Sequence, residues 1–98
     1  MKIYIAGKIT GNPNYKAEFA AAEKQLLEKG HSVMNPARLL ECKEFTHSDY
    51  MSVTHSMQSV CDGVLFLPNW KNSKGAIEEF DYAATAKQKI FFNVEDVE

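Results

Sequence analysis

The stretch Asp62-Gly-Val-Leu-Phe-Leu-Pro-Asn-Trp-Lys-Asn-Ser-Lys-Gly-Ala-Ile-Glu-Glu-Phe-Asp-Tyr-Ala83 decides the reading of this chain. Gly63 to Leu67 is a continuous apolar run, as in a strand covered on both faces at the centre of a parallel sheet. A polar loop holding Ser73 and Gly75 follows, and then a helical pattern with Glu79 in its opening turns. In an open α/β sheet, ligands bind at the carboxyl ends of the strands. A carboxylate and a set of backbone N–H groups gathered after this strand mark the place to expect chemistry.

Outward from there the chain alternates. Lys2 to Ala6 is a short β-rich run ended by Gly7, a first strand. Gly7 to Asn14 is a loop of turn-forming residues. Tyr15, Phe19, Ala22 and Leu26 recur at helical spacing, and Gly30 is a natural stop. His31 to Met34 reads as a second strand closed by Asn35-Pro36. Residues 37 to 47 carry only a weak pattern, read as a short helix and a loop. Ser48 is a candidate cap for a helix with the apolar stripe Tyr50, Val53, Met57 and Val60. Ser73 is a candidate N-cap for the last helix, with Ala76, Ile77, Phe80 and Ala84 expected to face the core. Lys89 to Asn93 is the final strand, and Val94 to Glu98 an acidic tail. This order predicts one α/β domain over residues 1–98: a four- to five-stranded parallel sheet between helices, a three-layer sandwich.

The 98 residues are 45% hydrophobic and 24% charged, the balance of an ordinary globular protein. A net charge of −2 with scattered lysines argues against binding a nucleic-acid polymer. No apolar run approaches the roughly 20 residues that span a bilayer, and no basic leader precedes the first strand, so a cytoplasmic protein with no membrane partner is expected. Cys42 and Cys61 lack the spacing of a redox or zinc motif and read as reduced thiols. His31, His47 and His55 show no metal-binding spacing, so neither a metal nor a cofactor is expected.

Gly7-x-x-x-Gly11 is neither a dinucleotide fingerprint nor a phosphate loop, yet its glycines let backbone N–H groups approach an anion ahead of a helix. Ser73 and Gly75 repeat that layout, so the two loops can grip one sugar or phosphate from both sides; a simple turn and a simple helix cap are the alternatives. Glu78 and Glu79 point about 100° apart on their helix, and Glu79 borders the core face beside Ala76. Trp70 either stacks on a base or covers the core edge.

With Ile3-Tyr-Ile-Ala-Gly-Lys-Ile-Thr-Gly11, Asn35-Pro-Ala37, Tyr50-Met51, Cys61-Asp62, Leu67-Pro-Asn-Trp-Lys-Asn-Ser-Lys-Gly-Ala76 and Glu79-Phe-Asp-Tyr-Ala83 in view, the chain resembles the nucleoside 2-deoxyribosyltransferase-like superfamily. It looks most like a small branch of bacterial and phage proteins within it. The resemblance implies a flavodoxin-like sheet and a nucleoside or 5′-monophosphate substrate. It implies that Glu79 attacks the anomeric carbon of 2-deoxyribose and that Tyr4 orients it. It further implies that the loops from Gly7, with Lys8 and Thr10, to Gly11 and from Ser73 to Gly75 hold sugar or phosphate, and that the protein is a homodimer or larger. Two positions depart from the pattern. Thr54 stands where the family carries an aspartate that positions the sugar and handles protons at the leaving base. Thr10 stands where some nucleotide hydrolases of the family carry an arginine.

Three functions are therefore in contention. One is an N-glycoside-cleaving hydrolase or transferase. Another is a non-catalytic module that senses or sequesters a nucleotide, which Thr54 favours. The third is a small interaction protein without a ligand.

Overall fold

A computed structural model describes all 98 residues, Met1–Glu98. Four strands, β1 (Lys2–Ala6), β2 (Ser32–Met34), β3 (Gly63–Phe66) and β4 (Lys89–Phe91), form one all-parallel sheet in the order β2-β1-β3-β4. Three α-helices connect them: α1 (Tyr15–Glu28), α2 (His47–Ser59) and α3 (Lys74–Thr85). The expected α/β class and parallel sheet are both present, with four strands.

The strand period of two distributes the core. On β1, Ile3 and Ile5 face the α1 layer, where they meet Phe19, Ala22 and Leu26 with Leu65 and Leu67. Tyr4 and Ala6 face the other way, into a second cluster with Val64, Phe66, Cys61 and Ala83 of α3. From Ile3 onward on β1, and throughout β3, every position is thus buried, because helices cover both faces. Tyr4 is thereby fixed on the α3 side.

Helix α1 stops at Gly30, whose φ of +90° is open to glycine at little cost. Around it the Gly30 N–H donates to Leu27 O at 2.9 Å and the His31 N–H to Leu26 O at 3.1 Å, a Schellman closure. Glu23 is buried on α1 because the Arg38 guanidinium grips its carboxylate and Asn35 donates to it at 3.0 Å. The Arg38 pair, as the larger influence, holds Glu23 below the usual carboxylate range.

Several expectations are corrected. Helix α2 begins one turn-cap earlier than Ser48: Thr46 accepts from the Asp49 N–H, and Asp49 accepts back from the Thr46 N–H, a capping box. Its buried face is polar, made of Thr54 and Gln58, while Val53 and Val60 of the expected stripe are about half exposed. Gln58 is fully buried because its Nε2 donates to Glu79 O at 2.9 Å and to Gln88 Oε1 at 3.2 Å. Gln88 in turn donates to Gln58 O and Cys61 O. On α3 the inward residues are Ala76, Glu79 and Ala83, whereas Ile77 and Ala84 are exposed. Strand β4 ends at Phe91 rather than Asn93. The expected acidic tail forms a 3₁₀ turn, Val94–Asp96, that seats Val97 in the α1-side core with no exposed surface.

Candidate active site

Tyr4 projects from the middle of β1, and Glu79 lies one turn into α3, on the same side of the sheet. Both are buried, Tyr4 to 1% and Glu79 to 8% exposure. The Tyr4 hydroxyl donates to Glu79 Oε2 at 2.5 Å. Burial pushes the Glu79 carboxyl up to about 7; the Tyr4 hydrogen bond pulls it down and the Glu78 charge pushes it further up. Burial, and then the Glu79 charge, push the Tyr4 phenol far above its ordinary value, so it stays a donor throughout the physiological range.

The pair lines a pocket of about 650 Å³ at the carboxyl ends of the strands. The loop after β1 supplies Gly7, Thr10 and Gly11; the segment after β2 supplies Pro36, Ala37 and Leu39. The start of α3 supplies Ser73, Gly75 and Ala76, and α2 supplies His47, Tyr50, Met51 and Thr54. Gly7 is required by crowding: a Cβ there would lie 3.1 Å from Leu67 Cβ and 3.2 Å from Phe19 Cζ. Gly11 is required by its φ of +75°. Ser73 caps α3, its Oγ accepting from the Ala76 N–H at 3.2 Å, so that lone pair is committed to the helix.

Of the residues singled out from the sequence, the structure brings Tyr4, Gly7, Thr10, Gly11, Thr54, Ser73, Gly75 and Glu79 to this one pocket. Lys8 and Trp70 are not among its walls. The Lys8 N–H donates to Asn69 Oδ1, which ties the two loops together from outside. Trp70 stacks on Phe80 at 4.8 Å between ring centroids and touches Phe66 and Phe92, so it covers the core edge as the second reading had it.

Sequence reasoning missed the pocket's far wall, which comes from the segment without a clear pattern. Tyr50 holds that segment by donating to Leu40 O at 2.7 Å and accepting from the Cys42 N–H at 2.8 Å. Tyr15 donates to Glu41 from α1. His47 was weighed only as a metal ligand, and it lies beside Gly75 at the pocket wall.

Such a site keeps one carboxylate out of bulk water at the wall of a cavity of small-molecule size. No curated protein matches the sequence. A solved structure described as a 2-deoxyribosyltransferase from the psychrotolerant bacterium Bacillus psychrosaccharolyticus superimposes with a TM-score of 0.71. The match spans 92% of this chain and 69% of that one at 18% identity, which shows a shared fold. A family model matches residues 1–92, so the chain belongs to the family described as the domain of unknown function DUF4406.

Proposed function

We propose that the protein cleaves the N-glycosidic bond of a 2-deoxyribonucleoside or its 5′-monophosphate, as a hydrolase or deoxyribosyltransferase, with Glu79 as nucleophile. The observation that carries this reading is the buried Tyr4–Glu79 pair opening into the pocket. A carboxylate facing a bound pentose stabilises the oxocarbenium-like transition state and then traps it as a glycosyl ester. Tyr4 holds one carboxylate oxygen, Oε2, and so leaves Oε1 for the anomeric carbon. The two glycine loops bring backbone N–H groups to the sugar or phosphate. The pocket volume is within the usual range for small-molecule sites. The similarity to a 2-deoxyribosyltransferase supports the choice of substrate class.

The test is base release from a panel of deoxynucleosides and their 5′-monophosphates by wild type and Glu79→Ala. Release that depends on Glu79 supports the proposal; release unaffected by the substitution removes it.

One observation favours a second reading, a binding module without turnover. Thr54, buried beside the Tyr4–Glu79 pair, has no proton to exchange near neutral pH. Calorimetry separates the two: nucleotide binding with no base released on long incubation supports the module.

A further inference from the structure

Two carboxyl groups, Glu41 and Glu79, line the pocket, with no lysine or arginine among its walls; the Lys8 side chain reaches the edge, its Cε 3.9 Å from where a Cβ on Gly11 would stand. Tyr15 and Tyr50 add partly exposed aromatic rings to the lining. Carboxylates and ring faces both attract cations.

A second observation concerns protons. A neutral base leaving a sugar must be protonated as the bond breaks, and a positioned acid contributes roughly 10²- to 10⁴-fold to such a step. Within the main pocket no such acid stands free beside Glu79; His55 lines a separate cavity that also touches Glu79. Tyr4's proton is committed to Glu79 at 2.5 Å, and the Thr54 hydroxyl donates to Met51 O at 3.3 Å. Of the other titratable side chains that α2 gives to the pocket, His47 lies about two helical turns, roughly 10 Å, before Thr54, and the Tyr50 hydroxyl is committed to Leu40 O. A base that already carries a quaternised ring nitrogen needs no acid.

Building on the function proposed above, we infer that the substrate is an N-glycoside whose base is cationic, of the class of an N-alkylated purine deoxynucleoside. Glu79 forms the C1′–O bond as the C1′–N bond breaks. The electron pair of the broken bond stays on the glycosidic nitrogen and cancels the positive charge shared by the alkylated ring, so the base leaves neutral. Water then adds at C1′ and displaces the Glu79 carboxylate, releasing the free sugar and one proton to solvent. The two carboxyl groups favour the cation in the ground state, and the lack of a free acid within the pocket favours it in the reaction.

The test measures base release above the uncatalysed background from 7-methyl-2′-deoxyguanosine, 2′-deoxyguanosine and 2′-deoxyguanosine 5′-monophosphate, with Glu79→Gln in parallel. The expected result is a kcat/KM for the methylated nucleoside at least roughly 100-fold above that for the unmodified one, the size of the missing acid catalysis. That activity is expected to disappear in Glu79→Gln. Glu79-dependent release within about tenfold for the two nucleosides, or a preference for the monophosphate, overturns the cationic-base assignment and leaves the nucleophile standing. Release from none of the three, or release equal in Glu79→Gln, overturns both.

Discussion

The Tyr4 hydroxyl and Glu79 Oε2 lie 2.5 Å apart, although 75 positions of sequence separate the two residues. The contact exists because strand alternation turns Tyr4 toward α3 while its neighbours Ile3 and Ile5 face α1. Two opposing influences meet on the carboxyl, burial raising its pKa and the hydroxyl lowering it.

Tyr4→Phe keeps the ring in the core and removes only the donor. Glu79 is then expected to titrate above its present value of about 7. A hydrogen bond to a charged group contributes about 1.5 to 3 kcal/mol, so base release near neutral pH should fall roughly tenfold or more and recover partly as the pH is raised. Carbon-13 NMR titration of the glutamate carboxyls reads the shift directly; an unmoved carboxyl would show that the hydroxyl has no hold on it.

Glu79→Gln carries a stability prediction of opposite sign to its effect on activity. The carboxyl titrates at its usual 4.5 when unfolded and at about 7 when folded. Between those values the folded chain holds a proton that the unfolded chain does not. The contribution is therefore fully present below about pH 4.5 and is lost as the pH rises through about 7. Urea unfolding should show the variant and wild type alike near pH 5. Near pH 8 the variant should be more stable, by on the order of 2 to 3 kcal/mol.

Trp70→Ala separates structure from site. The indole stacks on Phe80 and lies outside the pocket walls. Loss of about 2 to 4 kcal/mol in unfolding free energy is expected, with calorimetric affinity for any bound deoxynucleoside unchanged. A weakened affinity at constant fold would return Trp70 to the site.

Gly63→Ala and Gly75→Ala should differ. A Cβ on Gly63 would lie 3.0 Å from the backbone Lys89 O and 3.0 Å from Phe91 Cε2, so β4 must shift. About 1 to 3 kcal/mol of destabilisation is expected, visible as a lower urea midpoint. A Cβ on Gly75 meets the flexible end of Met51, its Sδ at 3.2 Å, and the cost should be smaller.

Much of this architecture was legible in the residues. The unbroken apolar runs of β1 and β3 announced two-sided burial, and Glu79 bordered the core face beside Ala76 as its helical position requires. Helix α2 was misread for a definite reason. Apolar periodicity marks a buried face only where that face packs on hydrocarbon, and here Thr54 and Gln58 are buried against polar partners while valines are left in water. The far wall of the pocket was illegible because its shape comes from hydrogen bonds between the Tyr50 hydroxyl and backbone groups, which leave no periodic trace. Val97 was missed because one apolar side chain among Glu95, Asp96 and Glu98 gives no pattern, although the space between α1 and the sheet needed filling.

Neither half of the chain holds the pocket by itself. Strand β1 and its glycine loop come from the first residues and α3 from the last third, and they meet only after β1 has found β3 across the sheet. A partly folded molecule therefore has nothing for a ligand to recognise, and occupancy selects the finished structure. At a ligand concentration a hundredfold above Kd, that selection is worth about 2.7 kcal/mol of resistance to unfolding. Survival in urea or heat thus reports on what this pocket holds, even when no reaction follows.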